Sequence, residues 1–508
     1  MNNRPPELAL AAGRATVGGL FRSRATANPE SVAIIDGARK FTYAQLDSRT
    51  NRLANAMTRL GLGSGDRVAI LAHNCAEYLD VELAAAKTGA IVAALNWRLG
   101  KRELAHCINL VEPKIIIAQA DLAPVLDDLD IPAHERILFG DGYESLLAGA
   151  DDRAADVAVA PEDGLVILYT SGTTGLPKGA LISHRAMVAR AMCFASELQV
   201  PVGDNFVAWA PFYHMASTDQ SIATLLRSGT VHVVDGYQPD QLIDILEGYV
   251  TRWFVLVPGV VGDFAAHCQR RRAKIKHVGI CGAMPDLVPR DEIAAATRAL
   301  NAPYLNTFGS TETGLPPATG ATIAIGLPPT SLSKRQSTFC DLRLVDPEDR
   351  DVATGTPGEV ALRGPTLFSG YWNAEETNAK DFRNGWFHMG DVMRRNADGT
   401  LDYVDRVKYM IKSGGENIYP AEIEQVLLAD TRIAEAVVVG KKDPKWGEVP
   451  VAFVVRRDGR LTETDVLANC KAGLSSYKQP KSVIFIEAGD LPRSTTGKVQ
   501  RHLLERRL

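Results

Sequence analysis

Residues 169–179 read Tyr-Thr-Ser-Gly-Thr-Thr-Gly-Leu-Pro-Lys-Gly, a cluster of hydroxyls and glycines with one lysine, placed directly after an apolar run. That mixture suits a phosphate. Gly172, Gly175 and Gly179 allow close backbone approach and positive φ, Thr170, Ser171, Thr173 and Thr174 offer hydroxyl donors, and Lys178 adds a mobile point charge. The Walker pattern G-x-x-x-x-G-K-[ST] is not met, because Pro177 precedes the lysine and Gly179 follows it.

Four further segments carry groups able to do chemistry. Asn306-Thr307-Phe308-Gly309-Ser310-Thr311-Glu312-Thr313-Gly314 sets one carboxylate among hydroxyls. Such hard oxygens suit Mg²⁺, although hydroxyl–acid pairs are also ordinary caps. Trp386 to Asp391 and Tyr403 to Lys408 place an acid, Asp391, and a guanidinium, Arg406, on a strand pair. Pro211-Phe212-Tyr213-His214-Met215 contains a lone histidine that titrates near neutrality when unperturbed. Pro492-Arg493-Ser494-Thr495-Thr496-Gly497-Lys498 puts a lysine on a loop, where sequence alone reads it as solvated. No Ser-His-acid triad or reactive-cysteine signature is present.

The elements that must hold these groups follow one recurring pattern. Short apolar runs at 68–71, 114–117, 165–168, 254–257 and 278–280 alternate with helical stretches rich in Ala, Leu and Glu, which predicts parallel sheets covered on both faces by helices. Several runs end in Gly, Pro or hydroxyl residues, so their loops converge at the carboxyl ends of strands, where open α/β sheets bind ligands. A short amphipathic helix is expected over 17–27, after a loose N-terminal tail. Beyond Gly320 short strands at 340–345 and 358–363 indicate a smaller β-rich subdomain. The expected architecture is therefore α/β, with a large multi-layer N-terminal domain of two sheets flanked by helices plus that subdomain, and a small mobile α+β C-terminal domain. The boundaries are 1–404, a hinge at 405–408, and 409–508.

Composition narrows the classes. The chain has 508 residues, 46% hydrophobic and 23% charged, with a net charge of −4, which suits a multi-domain globular protein and offers no electrostatic case for nucleic acid. Seven cysteines without C-x-x-C spacing read as reduced, mostly buried thiols of a cytoplasmic protein. No secretory leader is evident. The most apolar stretch, 82–96, is interrupted by Lys87 and Gly89 and is too short to span a bilayer.

In order, from residue 169 to 498, these motifs resemble the signatures of the adenylate-forming superfamily, which includes acyl-CoA synthetases, stand-alone adenylation domains and firefly luciferase. The resemblance covers nearly the whole chain and implies the use of ATP, Mg²⁺ and coenzyme A. It implies that residues 170–175 and Lys178 grip phosphates, with Thr174 and Lys178 counted among the catalytic groups, and that Glu312 holds Mg²⁺ beside Asn306, Thr307, Phe308, Gly309 and Thr311. Asp391 then holds the ribose, with Tyr403 and Arg406 nearby. Gly282, Ala283 and Met284 take the place of a glycine-rich turn beside adenine and acyl chain, in altered wording (Cys281-Gly282-Ala283-Met284-Pro285). His214 lines the carboxylate pocket, where amino-acid-activating relatives have an acid. Lys498 covers the reacting carboxylate and α-phosphate, Lys408 is the hinge, and Lys412, Gly415 and Asn417 belong to the loop that replaces Lys498 in the thioester-forming state. The context of Lys498 also resembles sites modified by lysine acetyltransferases, and acetylation would erase its charge.

The implied activity is ATP-dependent ligation of a hydrophobic monocarboxylic acid to CoA, the acid being a medium- or long-chain fatty acid or an aryl acid of the cinnamate type. Loading of a carrier protein, a luciferase-type oxidation and a non-catalytic nucleotide sensor stay open as alternatives. A homodimer is left open as the assembly.

Overall fold

The computed structural model describes residues 9, 12–132, 135–155, 157–170, 176–414, 416–493 and 499–508. Ser171, Gly172, Thr173, Thr174, Gly175, Gly415 and Lys498 lie outside the described residues, as does most of the expected tail. The chain divides into two compact units, Met1–Asp341 with Arg363–Arg383, and Leu342–Leu362 with Asn384–Leu508.

The first unit is α/β and contains the helix expected over 17–27, as Val17–Ala27 capped by Thr16. One sheet has six strands, in the order Glu135–Leu138, Ile115–Ala118, Arg67–Leu71, Ile91–Ala94, Gly164–Thr170, Lys178–Ser183. All are parallel except the last, which returns antiparallel from its neighbour as a hairpin. The inner strands are buried at every position, as their unbroken apolar sequences require. A second system begins with Arg39–Thr42, Val32–Asp36, Thr230–Val233 and Asn205–Ala208 and continues with Val250–Phe254, His277–Cys281, Tyr304–Ser310 and Gly314–Ile323. The two groups of four meet where Thr251 Oγ1 donates to Asn205 O at 2.6 Å and Arg252 N to Asp204 Oδ2 at 2.9 Å.

The apolar run at 254–257 differs from expectation. The strand ends at Phe254, because the carbonyl of Val255 is taken by Trp209 Nε1 (2.8 Å) and that of Leu256 by Ala283 N (3.1 Å), so its last residues are apolar loop wall.

The segment 82–96 is not one element. The helix Ala76–Thr88 stops at Gly89, whose φ of 72° is the left-handed conformation glycine adopts without strain, and the chain continues as the strand Ile91–Ala94. Among the described residues no helix is long and apolar enough to cross a membrane. All thirteen residues of Ala76–Thr88 are buried, including Asp80, Glu82 and Lys87. Lys87 Nζ donates to Asp47 Oδ1, Thr50 Oγ1 and Asn51 Oδ1, and Asp80 accepts from Arg49 and from Tyr143. Glu82 is served poorly: Thr218 Oγ1 donates to one oxygen at 3.2 Å, and the other has no hydrogen-bond partner among the described residues.

The second unit contains an antiparallel set, Pro357–Arg363, Trp386–Arg395 and Leu401–Arg406, followed by an α+β region. There Gly447–Arg456 pairs antiparallel with Ile433–Asp443, parallel with Ser482–Phe485, and through its first residue with the hairpin Ile411–Ser413/Glu416–Ile418. Strand alternation sorts its side chains to two faces. Val438, Ala452 and Val454 pack under the helices Pro420–Leu428 and Glu463–Gly473, and Val437, Val439, Val451 and Phe453 pack against Leu491 and Leu504.

Burial pushes the Glu82 carboxyl up to about 8, with the Asp219 charge adding to the effect and the Thr218 bond opposing it. A carboxyl raised in the fold contributes stability that is complete below its unfolded value and is lost as pH rises through about 8. Glu82→Gln keeps the neutral shape and cannot ionise. Its unfolding free energy relative to wild type should therefore improve by roughly 1–3 kcal/mol between acidic pH and pH 9, as read by denaturant titration at each pH. A pH-independent difference would contradict this.

Candidate active site

The hairpin bearing the glycine- and hydroxyl-rich loop is held on both sides. Thr170 pairs with Lys178 and Tyr169 with Gly179 at its loop end. From the helix Lys101–Val111, Cys107 O accepts from Tyr169 Oη at 2.8 Å and His106 Nε2 lies 3.0 Å from Pro177 O. On the other edge Trp372 N donates to Gly179 O (2.8 Å), Leu181 N to Gly370 O (3.0 Å) and Ser369 N to Leu181 O (2.7 Å). A Cβ at Gly179 would stand 2.7 Å from Ile167 Cγ2, which accounts for glycine there.

This second attachment delivers Tyr371, which sequence reasoning missed. Lys178 Nζ sits 3.8 Å from the centroid of the Tyr371 ring, and the Tyr371 hydroxyl donates to Glu312 Oε1 at 2.8 Å. The cation at the end of the glycine- and hydroxyl-rich loop and the carboxylate of the second motif thus meet on one phenol. A Gly-Tyr-Trp triplet in a β-rich stretch carries no signal in the sequence, since its role arises from an edge contact almost two hundred residues away.

Glu312 lies in the turn joining Tyr304–Ser310 to Gly314–Ile323. Thr313 Oγ1 accepts from Ser310 N at 3.0 Å and donates to Pro316 O, and Phe368 N donates to Glu312 O at 2.9 Å. The side chains of Asn306 and Thr307 are committed inside the fold. Asn306 Nδ2 donates to Leu332 O and Ser333 O, its Oδ1 accepts from the buried Lys334 Nζ at 2.9 Å, and Thr307 Oγ1 donates to Ala318 O at 2.8 Å. These two residues hold the strand that presents half-buried Phe308, Gly309 and Thr311. Among the described residues no three His, Cys, Asp or Glu side chains converge as a metal cage. Glu312 with its hydroxyl neighbours nevertheless fits Mg²⁺, which typically takes one or two carboxylates and completes its shell with water and substrate phosphates.

The neighbouring parallel strand, His277–Cys281, ends in Gly282, Ala283 and Met284. Gly282 has φ 73°, its carbonyl accepts from Trp253 Nε1 at 2.9 Å, and a Cβ would fall 2.1 Å from the Tyr304 ring. Tyr304 Oη donates to Ala283 O at 3.0 Å. The turn is therefore locked onto the strand that leads to Glu312. Lys334 adds a second tie through an ion pair of 2.6 Å with Asp286.

His214 caps the helix Met215–Leu225, its Nδ1 accepting from Ala216 N at 3.2 Å. The cap uses the Nδ1 lone pair, so the ring proton belongs on Nε2. Asn74 holds the approach, donating to Ala208, Ala210 and Val234 carbonyls and accepting from Phe212 N.

In the second unit Asp391 and Arg406 face each other across adjacent strands, with Nε to Oδ1 at 2.8 Å and Nη2 to Oδ2 at 3.0 Å. Burial raises the Tyr403 phenol, as does the charge of Asp391. Asp405 accepts from Ala421 N at 2.8 Å, tying the strand end to the helix Pro420–Leu428, and Lys408 follows in a short turn with its Nζ 4.9 Å from the Tyr409 ring. Lys412 and Asn417 are opposite one another in the small hairpin. Lys412 also borders an open surface pocket of about 590 Å³ with Lys442, Asp443, Pro444, Gly447 and Glu448. Arg493 bridges to Val499, and Gln500 N donates to Pro492 O at 2.8 Å, at the two ends of the segment that includes Lys498.

The AMP-binding enzyme model matches residues 21–372, and the AMP-binding enzyme C-terminal domain model matches 422–498. The chain belongs to the AMP-binding enzyme family. It is 34% identical over 490 residues to a feruloyl-CoA synthase from Amycolatopsis sp, covering 95% of this chain and 97% of that one. It is 32% identical over 504 residues to the long-chain-fatty-acid–CoA ligase FadD13 from Mycobacterium tuberculosis, covering 96% and 97%. The ATP-bound structure of MatB from Rhodopseudomonas palustris superposes with a TM-score of 0.81 at 28% identity, over 97% of this chain and 99% of that one. Within the AMP-binding enzymes this chain is an adenylate-forming acyl-CoA synthetase, an AMP-forming acid–thiol ligase.

Gly282→Ala should destabilise this family member by at least about 2 kcal/mol, because the methyl meets the Tyr304 ring at a left-handed backbone position. It should also raise KM for ATP more than KM for CoA. Denaturant unfolding and initial-rate kinetics check both, and unchanged stability would show that the turn yields more than its packing implies.

Proposed function

We propose that this ligase activates a hydrophobic monocarboxylic acid, either an aryl acid of the cinnamate type or a medium- or long-chain fatty acid, and transfers it to CoA. The observation that carries the proposal is the grouping of Lys178, Tyr371 and Glu312 at the loop end of the glycine- and hydroxyl-rich hairpin. A carboxylate is inert to a thiol because its leaving group would be oxide. If its oxygen attacks the α-phosphorus of ATP, pyrophosphate leaves and the acyl carbon gains AMP as a leaving group. Two anions then approach one another, and positioned cations lower that barrier while little covalent protein chemistry is needed.

In this scheme Lys178 and the loop before it hold the phosphates, Glu312 contributes to the Mg²⁺ shell, and Lys498 reaches the reacting carboxylate. Bound Mg²⁺ would supply charge neutralisation on the phosphates. Asp391 accepts the ribose hydroxyls, with Arg406 fixing its orientation. On the acid side the residues in and beside the strand ends, Val257, Ala283, Met284, Phe308 and Leu315, are apolar, and no acid stands at His214 to pair an ammonium group. The relatives' names span an aryl and a long-chain acid, which supports a hydrophobic class without choosing between them. For the second half-reaction the chain pivots about 405–408, Lys498 withdraws, and the loop with Lys412, Gly415 and Asn417 takes its place beside the pantetheine thiol.

AMP and thioester should both form, and each should require CoA for turnover, when acids from acetate to palmitate, benzoate and cinnamates are screened. ADP as product would overturn the reaction type, and AMP turnover indifferent to CoA would favour a carrier-protein acceptor. With the best acid, Lys498→Ala should lose about 100-fold or more in acyl-adenylate formation yet still convert supplied acyl-AMP to thioester. Lys408→Pro should do the reverse, and equal loss of both half-reactions in either variant would refute its assigned role.

A further inference from the structure

The helix His184–Glu197 starts where the phosphate hairpin ends and carries Arg190 on its buried side. The Arg190 side chain is only 2% exposed. A guanidinium so enclosed must find acceptors for its N–H groups, and it has three in different parts of the chain. Nη1 donates to Asp219 Oδ2 at 3.0 Å, Nε to Thr366 O at 3.0 Å, and Nη2 to Thr311 O at 2.9 Å.

The places of those acceptors give the contact its meaning. Thr311 immediately precedes Glu312. Thr366 lies on the segment that supplies Phe368, whose N–H donates to Glu312 O, and Tyr371, whose hydroxyl donates to Glu312 Oε1. Asp219 lies on the helix capped by His214, with a side chain 1% exposed. One cation therefore pins both stretches of chain that grip Glu312 and ties them to the helix capped by His214, the residue expected to line the carboxylate pocket. The fit is tight, since a Cβ at Gly314, whose φ is 77°, would stand 3.0 Å from Arg190 Cγ.

Stability alone is a poor reason for the pair. A buried ion pair is often no better than apolar side chains of similar size, and Asp219 Oδ1 has no hydrogen-bond partner among the described residues. Lysine would be no substitute either, because a point charge cannot direct hydrogen bonds along the three directions of a planar fork.

We propose that Arg190, held by Asp219, is a positioning residue that sets the Glu312 carboxylate for Mg²⁺·ATP and couples it to the acid-side helix. The proposal rests on the reading of Glu312 as the carboxylate facing Mg²⁺.

The test is calorimetric binding of Mg²⁺·ATP and of ATP in EDTA, with thermal stability measured alongside. The proteins are wild type, Glu312→Gln, Arg190→Met, Asp219→Leu and the double variant Arg190→Met/Asp219→Leu. Each single variant at the pair leaves a buried charge unpaired and should lose stability, whereas the double variant should regain most of it. Its affinity for Mg²⁺·ATP should nevertheless stay about tenfold weaker, the lower end of the effect of removing support from a metal ligand, with metal-free ATP binding unchanged. Wild-type Mg²⁺·ATP affinity in the double variant would overturn the proposal while leaving Glu312 untouched. Glu312→Gln with an unchanged preference for Mg²⁺·ATP over metal-free ATP would overturn the assignment of Glu312, and the proposal with it.

Discussion

A single phenol ring separates the positive and negative groups of the first unit's site. Lys178 lies against its face and Glu312 accepts its hydroxyl, so cation and carboxylate are fixed in one neighbourhood through a common spacer. A direct ion pair would tie the two charges to each other, whereas here each contacts a different part of the same phenol. Much of the surrounding fold serves that ring. The hairpin edge accepts the backbone around Tyr371, Asn378 both accepts from Tyr371 N and donates to its carbonyl, and Phe368 closes on Glu312 from the same segment.

The parallel strands bring the other components within reach because their carboxyl ends lie side by side. Val250–Phe254, His277–Cys281 and Tyr304–Ser310 are consecutive neighbours, so the apolar loop after Phe254, the turn at Gly282 and the segment at Phe308 to Glu312 open in one direction. Buried tyrosine and lysine side chains then fix these loops to one another, as Tyr304 does with Ala283 and Lys334 with Asn306 and Asp286. The second unit presents a different kind of group, a bidentate carboxylate–guanidinium pair on a strand ladder, with Lys412 and Asn417 on a separate small hairpin.

Local chemistry and period explain which parts could be read from the sequence. Apolar runs of three or four residues marked the central strands, Gly89 marked a break in the most apolar stretch, and hydroxyl, glycine and acid spacing marked the loop of 169–179 and the Glu312 turn. The misses are long-range. Arg190 sits in a helix of mixed basic and apolar residues, and Met215–Leu225 is rich in Ser, Thr, Asp and Gln, yet Ser217 to Leu225 are all buried. Only their mutual packing reveals that Asp219 and Arg190 meet. Asn306 and Thr307 are adjacent on a strand covered on both faces, so although alternation sends their side chains to opposite sides, both end in hydrogen bonds of the interior.

The central claim is that the acid's own oxygen displaces pyrophosphate from the α-phosphorus. It is tested most directly by supplying a carboxylic acid labelled with ¹⁸O in its carboxylate and analysing the products by mass spectrometry after one turnover. The account predicts one ¹⁸O in the phosphoryl group of AMP, with none in pyrophosphate. Label in inorganic phosphate, or unlabelled AMP alongside thioester, would contradict it.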